Sequence, residues 1–158
     1  MLEGKKVCYY IDIVGINNKR QQLVASCGMD CGLCSGYLAY SHDLPKKTGK
    51  IIHCIGCRAR NKKCAFLKRD CALLSENRID FCYECETFPC DRLKRLSERY
   101  RTKYSMSFIE NLNFIKEKGL EEFIRDQSRK YKCPQCGDLI CIHNGKCYSC
   151  DEITSWKG

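Results

Sequence analysis

The chain has 158 residues, of which 16 are Cys, 30% are charged and 44% are hydrophobic with the cysteines counted among them; a core this thin needs staples besides apolar burial. Three Pro and 11 Gly exclude a collagen-like or low-complexity polymer, and no apolar run approaches the ~20 residues of a membrane span. The formal net charge of +9 suggests nucleic acid, yet every zinc ion held by four thiolates subtracts two charges, so three such sites would leave about +3.

Residues 1–26 carry two β-like runs, Val7-Cys-Tyr-Tyr-Ile-Asp-Ile-Val and Gln21-Gln-Leu-Val-Ala, separated by Asn17-Asn18-Lys19-Arg20. This reads as an N-terminal β-hairpin extension. Asp12 interrupts the first run and no small-residue cleavage site follows it, so no secretion signal is expected. A reducing cytoplasm is the implied location, and there so many cysteines point to metal ligation rather than disulfides.

Residues 27–90 read as a cysteine-rich metal-binding core. Cys27, Cys31 and Cys34 form one cluster, Cys54, Cys57, Cys64 and Cys71 a second, and Cys82, Cys85 and Cys90 a third. The gap of two in 31/34, 54/57 and 82/85 lets both sulfurs of a tight turn reach one metal at about 2.3 Å. The same turn leaves its backbone N–H groups free to bond the thiolates. Short helices are expected from Cys31 to Tyr40 and from Cys64 to Leu74, with metal turns organising the rest. Ten cysteines in this segment also suit two [4Fe–4S] clusters, because thiolate-only sites serve zinc and iron alike.

Residues 91–131 contain no Cys and show helical spacing. Asp91 is expected to cap a helix whose Leu93, Leu96, Tyr100 and Tyr104 form one apolar stripe. Arg92, Arg95, Arg99 and Lys103 recur on a neighbouring face, and residues 54–104 hold 13 Lys and Arg against 7 Asp and Glu. This face is the candidate surface for RNA or single-stranded DNA, with Tyr83, Phe88, Tyr100 and Tyr104 as candidates to stack on bases. Ser107-Phe-Ile-Glu110 has capping-box spacing, Gly119 supplies a stop, and Leu120, Phe123 and Ile124 begin a third helix.

Residues 132–158 carry two further knuckles, Cys133-Pro-Gln-Cys136-Gly and Cys147-Tyr-Ser-Cys150. Four sulfurs with this spacing predict a zinc ribbon, a closed tetrahedral site that folds a segment too small to fold by itself. Cys141 and His143 are surplus to that count and read as a buried small residue and a turn residue. His42 and His53 also fall on loop-like sequence.

The motifs Cys27-Gly-Met-Asp-Cys31-Gly-Leu-Cys34, Cys54-Ile-Gly-Cys57-Arg and Phe81-Cys-Tyr-Glu-Cys-Glu-Thr-Phe-Pro-Cys90 resemble the cysteine-rich prokaryotic domain-of-unknown-function family 3795. So do Arg99-Tyr-Arg-Thr-Lys-Tyr and Ile109-Glu-Asn-Leu-Asn-Phe-Ile-Lys, and the resemblance spans about residues 25–150. It implies a presumed metal-binding protein and leaves the N-terminal extension with Cys8 outside.

The expected protein is therefore an α+β, cysteine-rich, metal-stapled domain with about three Zn²⁺ sites, or with [4Fe–4S] in the 27–90 core as the alternative. Its expected metal ligands are Cys27, Cys31, Cys34, Cys54, Cys57, Cys64, Cys71, Cys82, Cys85, Cys90, Cys133, Cys136, Cys147 and Cys150. No phosphate-cradling loop, His-Glu-x-x-His or serine elbow is present, so nothing compels an enzyme and no catalytic residue is assigned. An adaptor or macromolecule-binding role is expected, with an iron–sulfur redox or accessory role as the alternative.

Overall fold

The computed structural model describes residues 18–44, 53–59, 67 and 70–153. The first expected β-run, Val7 to Val14, lies outside the described residues, as do Cys8 and Cys64. The second run does not form a strand. Residues 18–22 are helical, and Leu23, Val24 and Ala25 enter the core instead, with Val24 fully buried. The chain reverses further on, at Cys27–Gly28: Ala25 N–H donates to Met29 O at 2.8 Å and Cys31 N–H to Leu23 O at 2.8 Å. Gly28 has φ +84, and a Cβ there would lie 3.0 Å from Leu112 and 3.1 Å from the Phe108 carbonyl, so only glycine fits this reversal.

A 3₁₀ turn follows at Cys31–Leu33 and leads into α1 (Ser35–Ser41), close to the short helix expected there. Asp30 organises this turn. It is almost wholly buried, accepts Gly32 N–H at 2.9 Å, and is held by both terminal nitrogens of Arg20 at 2.7 and 3.2 Å. The guanidinium lies so close to Gly32 that a Cβ there would meet it at 1.6 Å. Beyond Cys71, α2 (Ala72–Ser75) and a second 3₁₀ turn at Cys82–Glu84 lead to the long helices.

These are α3 (Asp91–Tyr104), α4 (Phe108–Lys118) and α5 (Leu120–Lys130), the three helices expected from the spacing. The cap of α3 is Cys90 and not Asp91, which sits in the first turn and pairs with Lys94 at 3.4 Å. Ser107 caps α4 by accepting Glu110 N–H at 3.2 Å. Gly119, at φ +88, ends α4 and opens α5 without a linker. Helix α4 packs between its two neighbours, and Leu93, Leu112, Ile115 and Phe123 bury the seams at 3% exposure or less.

The described chain is mostly helical. The β part of the expected α+β class is not seen among the described residues, where β pairing is confined to three isolated bridges, Val24 with Asp30, Lys132 with Leu139 and Ile140 with Cys147. Each bridge closes a turn that carries cysteines, and turns this short leave no room for a ladder. No helix of the described residues is long and apolar enough to cross a membrane.

The C-terminal turns are docked on the rest of the chain. Ile142 N–H donates to Leu33 O at 3.0 Å and its side chain joins the main core. Cys141 and Tyr148 pack with Leu38 and Ala39 of α1. Half-buried His143 completes the seam: its Nδ1 accepts Ser35 N–H at 3.2 Å, which leaves the proton on Nε2, 3.3 Å from the Tyr100 hydroxyl. Burial pushes the His143 imidazole below its ordinary range. The fold therefore favours the neutral ring, and that contribution is fully present above the unfolded pKa of about 6.5 and is lost as pH falls through the lower folded value. The denaturant midpoints of the wild type and His143→Asn should differ clearly at pH 8 and converge as pH is lowered to 5. A gap that stays constant with pH would contradict this role.

Candidate metal centre

Four sulfurs converge at the C-terminus. The Sγ atoms of Cys133, Cys136, Cys147 and Cys150 all lie within 4.8 Å of one another, with 133–150 and 136–147 at 3.5 Å and 136–150 at 3.1 Å. A tetrahedral ion with ~2.3 Å bonds to sulfur sets its ligands about 3.8 Å apart, so the set matches one ion in size.

Local backbone chemistry produces the convergence. Cys133 N–H donates to Asp138 O at 2.6 Å and Gly137 N–H returns to Cys133 O at 2.9 Å, a turn that Gly137 completes at φ +81. In the second turn Cys147 N–H is held by Asp151 Oδ2 at 2.7 Å, and Asp151 N–H donates to Cys147 O at 2.9 Å. Cys141 N–H to Lys146 O at 2.8 Å fixes the hairpin between them. Cys133 and Cys147 are buried, whereas Cys136 and Cys150 face solvent.

The electrostatics of the group are uneven. Backbone N–H groups of Cys136 and Gln135 draw the Cys133 thiol down to about 7. The sulfurs of Cys136, Cys147 and Cys133 push Cys150 up, and burial raises Cys147. Thiolate at one position opposes thiolate at the next, and a divalent cation between them removes that conflict.

The surplus residues of this segment fall elsewhere. Cys141 is 1% exposed and packed against α1, where burial raises its thiol. His143 belongs to the seam with Ser35 and Tyr100. His53 Nε2 lies 2.6 Å from Leu44 O. The seam and the Arg20–Asp30 pair escaped the sequence reading, since contacts 108 and 10 positions apart leave no periodic signal.

The core cysteines assemble less tightly, and Cys64 among the expected ligands lies outside the described residues. Cys57 N–H reaches Cys31 Sγ at 3.4 Å, Gly56 N–H reaches Cys54 Sγ at 3.4 Å, and Cys54 N–H donates to Gly36 O at 3.0 Å. Knuckles 31/34 and 54/57 therefore meet. Burial pushes Cys27 and Cys34 up to about 12, and Cys57 stands close enough to both to add to the rise. Cys82 N–H donates to Ser26 O at 2.9 Å. Its thiol is also pushed up to about 12, by burial first and then by Cys27, Cys71, Cys90 and Cys85 around it.

The basic face of α3 is present, but its aromatics are engaged. Tyr100 packs against Phe108, Tyr104 and His143, and Tyr83 stacks on Phe81 at 5.4 Å.

A family model described as a protein of unknown function, DUF3795, matches residues 23–95. The match stops inside α3, short of the 25–150 span of the resemblance, and leaves α4, α5 and the C-terminal knuckles outside. No curated protein and no solved structure is significantly similar to the chain. The matched stretch contains the cysteine motifs at 27–34, 54–57 and 81–90 that resemble this family.

Proposed function

We propose that the chain is a non-catalytic metal-binding protein whose residues 132–158 form a zinc ribbon holding one Zn²⁺ through Cys133, Cys136, Cys147 and Cys150. The observation that carries this reading is the mutual approach of these four sulfurs within 4.8 Å. Two paired knuckles facing one another support the ribbon. Four protein ligands close a tetrahedral shell and leave no position for a reacting water, which favours a structural over a catalytic ion. Ordered thiols of this number also favour a reducing, cytoplasmic setting.

Zinc analysis and Co²⁺ titration of the full chain test the ribbon. One equivalent should bind with the charge-transfer absorption of a tetrathiolate, and Cys136→Ser with Cys150→Ser should remove that equivalent while the circular dichroism of α3, α4 and α5 persists. Unchanged metal content in this variant would contradict the site.

A second reading, that the protein is a macromolecule-binding module, is favoured by the charge pairing on the helices. Arg101, Arg125 and Arg129 all pair with carboxylates, and Arg92 pairs with Asp70 at 3.4 Å. Arg95, Arg99 and Lys103 are exposed without an ion pair among the described residues and line a shallow groove of about 410 Å³ with Glu98 and Thr102. At ~1.5 Å per residue these three cations span about 12 Å of helix, enough to follow consecutive phosphates. With the tyrosines packed away, such binding is to the backbone and independent of sequence. A single-stranded RNA should bind with a log K against log salt slope of about −2, and Arg95→Glu with Arg99→Glu should abolish binding without loss of metal. No binding at low salt would exclude the module.

A further inference from the structure

We propose that Cys27, Cys31, Cys34, Cys54 and Cys57 enclose a second thiolate metal centre, separate from the C-terminal ribbon and drawing on none of its residues. Two features of the structure carry it. The first is long-range convergence. Knuckle 31/34 is a 3₁₀ turn closed by Cys34 N–H to Cys31 O at 3.0 Å, and knuckle 54/57 turns through Gly56 at φ +106. Cys57 N–H on Cys31 Sγ and Cys54 N–H on Gly36 O then clamp the two knuckles together across more than a dozen intervening residues. Cys27 enters from the reversal at Gly28, and Cys57 lies beside both Cys27 and Cys34.

The second feature is the direction of the backbone N–H groups. In the ribbon, Cys133 receives N–H groups from Gln135 and Cys136, and Cys147 receives them from Ser149 and Cys150. The core repeats this at the same offsets: Cys34 receives Gly36 and Tyr37, Cys27 receives Met29, and Cys54 receives Gly56. Sulfur of a neutral thiol is a weak acceptor. N–H groups aimed at successive sulfurs are the outer shell that a metal-bound thiolate needs. None of the five is in a disulfide, and Cys31 and Cys54 are buried, so thiolates at these positions need a cation to balance them.

The five sulfurs are spread more widely than the ribbon's four, and no three of them lie within 4.8 Å of one another. A soft, thiolate-seeking metal is the ligand class in either form, a single zinc ion on which the knuckles close or an iron–sulfur cluster larger than one ion.

The test is zinc, iron and acid-labile sulfide analysis of the full chain purified anaerobically, as wild type, as Cys136→Ser with Cys147→Ser, and as Cys34→Ser with Cys57→Ser. The ribbon variant should keep core metal, and the core variant should lose that metal while keeping one equivalent at the ribbon. Colourless zinc identifies the single-ion form, and brown iron with sulfide identifies the cluster. If the core variant does not fold, cadmium-substituted wild type should show Cys34 and Cys57 β-protons coupled to a cadmium resonance different from the one coupled to Cys133. A metal-free ribbon variant, full retention of metal in the folded core variant, or no cadmium coupling at the five cysteines would overturn the proposal.

Discussion

Sulfurs brought within van der Waals distance of one another repel as thiolates and gain little as thiols, so a chain that gathers them needs a compensating cation. Among the described residues that constraint bears on the C-terminal four, the set whose sulfurs lie within 4.8 Å of one another. At the C-terminus, Cys133, Cys136, Cys147 and Cys150 meet in two tight turns, the first completed by Gly137 and the second held by Asp151. Near the start of the described chain, Cys31 and Cys54 are part of the buried interior. The helices between them supply the apolar platform against which both groups of turns are set.

The platform is modest and specific. Helix α4 lies between α3 and α5, and Leu112 approaches Gly28 so closely that no side chain fits there. Asn111 Nδ2 donates to Gly28 O at 2.9 Å, so the same reversal that presents Cys27 is bonded to α4. The seam through Leu33, Ser35, Ile142 and His143 performs the corresponding task for the C-terminal turns. Hydrogen bonds thus tie the cysteine turns to other segments, Gly28 to α4 and the C-terminal turns to Leu33 and Ser35 at the start of α1.

Much of this was legible in the sequence because helices and knuckles are local. The i, i+3, i+7 spacing of Leu93, Leu96 and Tyr100 located α3, and Ser107 and Gly119 located both ends of α4. Cysteines two apart marked the turns that gather sulfur, and their motifs pointed to the family over residues 23–95. Gln21 to Ala25 misled because a short run ending in three apolar residues looks alike whether it pairs as a strand or is buried after a helical turn. Asp30 gave no signal either, since its value lies in a buried partnership with Arg20 that only folding creates. His143 looked like a turn residue and is one, but the turn delivers it to Ser35 and Tyr100, more than 40 positions away in sequence.

The direct measurement of the central claim, that a bound cation holds the cysteine turns in place on a helical platform, is hydrogen exchange of the full chain before and after chelation. Removal of metal is predicted to release protection at Gln135, Cys136, Ser149 and Cys150, whose N–H groups face the ribbon sulfurs. Amides at the centres of α4 and α5 should retain theirs. Identical exchange with and without metal, or loss of protection in the helices while the turns stay protected, would contradict the account.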